Sequence, residues 1–137
     1  MTRPAPSRSS AFHRVLVCIS LLQVLAVFLQ GGLAGSFLSG DDASVALHEI
    51  GGWTTLALAL VQLGLLSVRA GRSYGLWLLM SSVGIVLAEA LQLGSGYGRF
   101  LRVHIPLAIL IAGGLTWQIV WIAKHPPAIT RSADEAS

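Results

Sequence analysis

Four long stretches of the sequence carry almost no charge, and they constrain the fold more than any other feature. A helix needs about 20 apolar residues to cross the hydrocarbon core of a bilayer, which is roughly 30 Å thick. The stretches cover residues 12–34, 43–68, 74–93 and 100–123, and the connections between them are too short for a soluble domain. They predict an all-α integral membrane protein, an up-down-up-down bundle of four helices over residues 12–124.

The composition supports this assignment and excludes several classes of protein. Of the 137 residues, 54% are hydrophobic and 11% are charged, whereas soluble domains carry about 25% charged residues. So few charges cannot cover a water-facing surface, which excludes a soluble enzyme and a disordered chain. The net charge of +3 forms no basic stripe, so nucleic acid is not an expected partner. A single cysteine cannot form a disulfide within the chain.

The positions of the basic residues predict the orientation in the membrane. Most of the nine Lys and Arg residues precede the first span, separate the second span from the third, or follow the fourth. Because Lys and Arg are retained on the cytoplasmic side, we expect a multi-pass protein of the cell membrane with both termini cytoplasmic. Residues 1–11 and 125–137 are predicted to be flexible tails. Small residues at 32–35 leave one alternative for the first span, a cleaved secretory signal.

Ionisable residues inside a membrane are costly, so they are the first candidates for function. Counted from helix starts near positions 42 and 98, His48 and His104 each lie six residues, or about 9 Å, below the outer surface. Glu89 lies five residues before position 94, about 7–8 Å below the same surface. Gln30 and Gln92 fall close to this layer. The sequence therefore predicts a site just below the outer face of the bundle.

Two imidazoles at one depth can bind a single haem b from both faces of its iron. His48 and His104 are the candidate ligands, because the second and fourth spans of such a bundle run in the same direction. Gly51 and Gly52 follow His48 within one helical turn, and Ala108 follows His104 by one turn. These small side chains would leave space for the macrocycle.

Other polar residues are expected to assist this haem site. Arg99 and Arg102, the cations predicted outside, are placed to pair with the haem propionates. Glu49, Glu89 and the two glutamines of the same layer are expected to orient a ligand imidazole or to carry protons. The chain would then serve electron transfer, or redox or haem sensing. Its expected partners are the lipid bilayer and a second copy of the chain or a respiratory redox protein of the membrane.

Two other functions remain open at this point. His48, Glu49, Glu89 and His104 would also suit a membrane carrier that handles a metal ion or protons. A tetraspan assembly partner without a cofactor is the second alternative. The sequence contains no phosphate-binding loop, dinucleotide fingerprint or nucleophile–base pair, so catalysis is not predicted.

Two short segments resemble a known family. LHEIGG at 47–52 and RVHIPL at 102–107 resemble the segments around the helix-two and helix-four histidines in one four-helix half of the haem A synthase family. More loosely, the chain is similar to small b-type membrane cytochromes. The resemblance implies that His48 and His104 are axial haem ligands. That family has two such halves and four histidines, whereas this chain has one half, so the resemblance implies haem binding rather than haem A synthesis.

Overall fold

The computed structural model describes residues 8–69 and 74–126, and within these ranges the chain is helical with no strand. The helices are α1 (Arg8–Leu38), α2 (Ala43–Arg69), α3 (Gly75–Tyr97) and α4 (Leu101–Lys124). All four are long and apolar enough to cross a membrane. The prediction of an all-α fold with four helices long and apolar enough to cross a membrane is therefore confirmed.

Each helix packs against two others and completes a four-helix bundle. Helix α1 contacts α2 and α4, and α3 contacts the same two helices. Within the described part of the chain, α2 and α4 therefore lie diagonally across the bundle. The connections at 39–42 and 98–100 lie near His48 and His104, and we call this the histidine end of the bundle.

The opposite end is held together by an apolar cluster. It consists of five buried side chains, Leu16, Leu66, Tyr74, Leu78 and Ile122. They come from all four helices or, for Tyr74, from the residue just before α3. Buried apolar side chains in close contact stabilise a bundle in the membrane through van der Waals packing.

The middle of the bundle is more polar than its surface. Large apolar side chains such as Phe28, Ile109 and Leu110 are exposed on the outside of the helices. The buried polar residues within the described ranges are Ser20, Gln23, Ser44, Thr55, Gln62, Ser82, Glu89, Ser95 and Gln118. An apolar surface around a polar interior is the arrangement expected of helices surrounded by lipid.

The helix bounds differ from the predicted spans by a few residues. Helix α1 already includes residues 8–11, and residues 1–7 and 127–137 of the predicted tails lie outside the described residues. Helix α3 continues to Tyr97, four residues beyond the predicted end of the third span at 93. The turn falls instead at 98–100, where Arg99 adopts a left-handed backbone conformation with φ of 55°.

Candidate functional site: a pair of histidines

His48 of α2 and His104 of α4 meet across the bundle. The centres of their imidazole rings are 6.1 Å apart, and the ring planes make an angle of 60°. Each ring is partly buried. The sequence predicted these two residues at one depth, and the structure places them side by side although their helices lie diagonally.

A backbone carbonyl of a neighbouring helix holds each imidazole. His48 Nδ1 lies 3.2 Å from the carbonyl oxygen of Gln30 in α1. His104 Nδ1 lies 3.0 Å from the carbonyl oxygen of Gln92 in α3. Because a carbonyl oxygen can only accept, Nδ1 donates its hydrogen in both rings. In the neutral ring, Nε2 then keeps its lone pair, which is the tautomer that binds a metal.

The last turn of α3 fits closely around His104. The Ser95 hydroxyl is 3.3 Å from His104 Nδ1 and donates a 2.9 Å hydrogen bond to the Gln92 carbonyl. A Cβ atom on Gly96 would lie 3.1 Å from His104 Cε1. The glycine therefore allows the ring to approach α3 closely. The sequence did not point to Ser95 and Gly96, because the predicted third span ends at 93, before both residues.

The glycines near His48 have other neighbours. The side-chain amide of Gln30 occupies the space where a Cβ of Gly51 would lie, and a Cβ of Gly52 would lie 3.0 Å from Leu93 Cδ2. The predicted space for a macrocycle is thus occupied here by Gln30 and Leu93. A planar group bound next to these glycines would displace both side chains. Ala108 is partly buried on α4.

A shallow apolar groove lies next to the Gln30 side chain. It has a volume of about 350 Å³ between α1 and α2, and Gln30, Leu33, Leu47 and Gly51 contribute to its walls. The side-chain oxygen Oε1 of Gln30 is buried without a hydrogen-bond partner. No hydrogen bond holds the side-chain oxygen of Gln30 in place, so movement of this side chain toward the groove would break no hydrogen bond at that oxygen.

Glu49 takes part in a different cluster from its neighbour His48. The Tyr97 hydroxyl donates a 2.6 Å hydrogen bond to Glu49 Oε1, and Trp53 Nε1 donates a 3.0 Å hydrogen bond to the Tyr97 oxygen. All three side chains are exposed. The structure therefore places Glu49 on the surface, and carbonyls rather than carboxylates hold the imidazoles.

Glu89 lies inside the bundle without a partner. Its side chain is 3% exposed, and both carboxylate oxygens are buried with no hydrogen bond. The hydroxyl of Thr55 in α2 faces it but donates its own hydrogen to the Gly52 carbonyl. Gln92, one turn closer to His104, has a buried side-chain oxygen that is likewise unpartnered.

A second polar layer lies deeper in the bundle. Ser20 donates a 2.8 Å hydrogen bond to Gln62 Oε1, and Gln62 Nε2 donates a 2.8 Å bond to Gln118 Oε1. Gln118 Nε2 donates a 2.9 Å bond to Ser81 Oγ. This network joins all four helices, whereas Gln23, one turn from Ser20, is fully buried with neither end of its amide partnered.

The remaining predicted residues lie at the surface of the histidine end. Arg99 and Arg102 are both exposed, one between α3 and α4 and one in the first turn of α4. Within residues 8–69 and 74–126, no three His, Cys, Asp or Glu side chains form a group that could hold a metal ion.

Comparison with known proteins adds no family to this description. No protein-family model, curated protein or solved structure matches the chain. The function of the chain is therefore inferred from the geometry of the site.

Proposed function

We propose that this chain is an integral protein of the cell membrane that binds one haem b between His48 and His104. The haem would serve electron transfer, or redox or haem sensing, near the outer face. The observation that carries the proposal is the pair of imidazoles whose Nδ1 atoms are both bonded to carbonyls. Each ring then keeps its Nε2 lone pair for a shared iron.

The spacing of the rings supports a shared iron. Imidazole nitrogen lies about 2 Å from a bound metal ion and about 1 Å from its own ring centre, so two axial imidazoles have centres about 6 Å apart. The observed separation is 6.1 Å. If two imidazoles bound one iron from opposite sides, each ring could rotate about the line that joins its nitrogen to the iron. The angle between the two ring planes would then be free to vary. The observed 60° is therefore compatible with axial ligation.

The contacts along the helices support the proposed up-down-up-down topology. His13, near the start of α1, lies 2.9 Å from the hydroxyl of Tyr74, which immediately precedes α3. Gln30, in the second half of α1, contacts His48 near the start of α2. With the positive residues retained inside, these contacts favour cytoplasmic termini and an outer histidine end.

Electron transfer or sensing fits this site better than catalysis on the iron. With His48 and His104 both bound to the iron, no position on it would remain for a substrate. Arg99 and Arg102, exposed at the same end, are in the proposal the partners of the haem propionates, as guanidinium groups bind carboxylates in pairs of hydrogen bonds. The similarity of 47–52 and 102–107 to one half of the haem A synthase family points to the same two ligands.

Haem content and absorption spectra of the full-length chain test the proposal. We expect protein expressed with haem to show a reduced b-type spectrum, with one haem per chain. His48→Ala and His104→Ala should each abolish that spectrum. His13→Ala is the matched control, because His13 lies at the opposite end of the bundle and should leave the spectrum unchanged.

The same experiment separates the alternatives. A reduced b-type spectrum that survives unchanged in either His48→Ala or His104→Ala would rule out iron ligation by the pair. Colourless protein that retains zinc or another divalent metal would favour a metal carrier. Colourless protein without metal would favour an assembly role if replacing both His48 and His104 with alanine leaves partner binding unaffected.

A further inference from the structure

Glu89 is the buried ionisable group that haem ligation leaves without a role. It is 3% exposed, and neither of its oxygens has a hydrogen-bond partner. An ionised carboxylate is strongly disfavoured at such a position in a bundle surrounded by lipid. A buried acid of this kind changes its charge readily when the charge of a nearby group changes.

The groups that face Glu89 from the adjacent helices provide no compensating charge. From α2, the neutral Thr55 hydroxyl faces it, and the other α2 carboxylate, Glu49, is exposed and bonded to Tyr97. From α4, the nearest titratable residue is His104, and no titratable residue occurs between 105 and 123. Among the described residues, Glu89 is therefore the one carboxylic acid inside the bundle.

The position of Glu89 brings it close to the histidine pair. It precedes Gln92 by three residues, so it lies on the same face of α3 and about 4.5 Å farther along the helix axis. The Gln92 carbonyl is the one that holds His104. Thr55, which faces Glu89, is about 10 Å along α2 from His48. The carboxyl group thus lies about 5–10 Å below the imidazoles.

We infer that Glu89 is a proton-binding site coupled to the oxidation state of the haem iron. This inference rests on the proposed function. When a redox protein of the membrane donates one electron to the iron, the loss of one positive charge would raise the proton affinity of the Glu89 carboxylate. Part of the Glu89 population would then take up a proton from water. On oxidation the electron leaves to an acceptor and the proton returns to water. No other bond forms or breaks.

The size of the coupling follows from the distance. At about 10 Å and an effective dielectric constant of about 20, the loss of one positive charge changes the proton affinity of a carboxylate roughly tenfold. A tenfold difference in proton affinity between the two iron states corresponds to a total fall of about 59 mV in midpoint potential as the pH rises.

Redox titration of the haem-loaded full-length chain between acid and alkaline pH tests the inference. The midpoint potential of the unmodified protein should fall by about 59 mV in total as pH rises. In Glu89→Gln the dependence should disappear while the haem spectrum is kept. Glu49→Gln, which removes an exposed carboxylate at the same end, should retain it.

The outcomes distinguish the two proposals. A chain that binds no haem would overturn the proposed function and the inference with it. Haem-bound protein whose potential is independent of pH, or whose pH dependence persists in Glu89→Gln, would overturn the inference alone.

A second measurement uses the same variant. The infrared difference spectrum between the reduced and oxidised protein should show the C=O band of a newly protonated carboxylic acid, and this band should be lost in Glu89→Gln. Absence of the band, or its persistence in Glu89→Gln, where the haem propionates are the remaining carboxylic acids of the site, would overturn the inference.

Discussion

Gly96→Ala is the variant whose effects on stability and on the site should have opposite signs. The added Cβ would lie 3.1 Å from His104 Cε1 and 3.3 Å from His104 Nδ1. Both separations are shorter than an ordinary contact, which is about 3.5–4.0 Å between carbon atoms. The imidazole must therefore move by a few tenths of an ångström away from α3. That movement weakens the bond from His104 Nδ1 to the Gln92 carbonyl, now 3.0 Å.

Loss of a hydrogen bond that orients a metal ligand lowers metal affinity by about 10–100-fold. We expect Gly96→Ala to reduce haem affinity by roughly tenfold, at the lower end of that range, because the bond is weakened and the ring stays on the same helix. By contrast, replacing glycine with alanine inside a helix favours the folded state by about 0.5–1 kcal/mol. The thermal stability of the haem-free bundle should therefore be unchanged or higher.

The assay is a haem titration followed by absorption, together with thermal unfolding of the haem-free protein in detergent. Gly94→Ala is the control, because a Cβ at Gly94 meets nothing within 4 Å. It should share the gain in helix stability and keep full haem affinity. Equal haem affinities of the Gly96 and Gly94 variants would refute the reasoning about the close fit.

Three further predictions concern the rest of the bundle. Gln62→Leu should lower the unfolding free energy by about 1–3 kcal/mol, because it leaves the hydrogen-bond partners of Gln62 unsatisfied. Gln23→Leu removes an unpartnered amide and should be neutral or stabilising. Thermal unfolding compares the two variants, and equal losses of stability would contradict the hydrogen-bond network. Tyr97→Phe removes exposed hydrogen bonds to Glu49 and Trp53 and should change the unfolding free energy by less than about 1 kcal/mol. The haem spectrum should be unaltered. Loss of the spectrum would show that the cluster of Glu49, Trp53 and Tyr97 belongs to the haem site. Reporter tags at the two termini should both be protected from an external reagent in intact cells, and labelling of either tag would contradict the proposed orientation.

The sequence alone predicts the helices and the approach of the two histidines. Uninterrupted apolar stretches separated by short polar segments leave few alternatives to membrane-spanning helices. Equal depth could be calculated for His48 and His104 because the rise of a helix is constant. The length of a membrane-spanning helix fixes where its ends lie in the bilayer, so the depth of each histidine follows from its residue number.

The partners of the histidines could not be predicted in the same way. The hydrogen bonds come from the main-chain carbonyls of Gln30 and Gln92, and every residue has a carbonyl. Only the rotation of each helix about its axis decides which carbonyl faces a ring, and that rotation depends on the packing of all four helices together. For the same reason, two residues that are adjacent in sequence point in different directions. His48 faces inward, and Glu49 faces Tyr97 at the surface.

The glycines show a second limit of sequence reasoning. A glycine between two apolar stretches is typical of a turn, and a glycine inside a span is typical of close packing. Gly96 belongs to the second kind although its sequence context favours the first, because His104 occupies the space beside it. The contact partner, His104, lies on the next helix beyond the turn at 98–100, so the residues that flank Gly96 carry no sign of the contact.

Electron paramagnetic resonance of the oxidised, haem-loaded full-length chain tests the central claim most directly. Iron bound by both His48 and His104 should give a low-spin signal typical of two axial imidazoles, at one iron per chain. Replacing either histidine with alanine should convert that signal to high spin or remove it, with His13→Ala unchanged. A high-spin signal from the unmodified chain, or a low-spin signal that survives loss of either histidine, would contradict the proposed site.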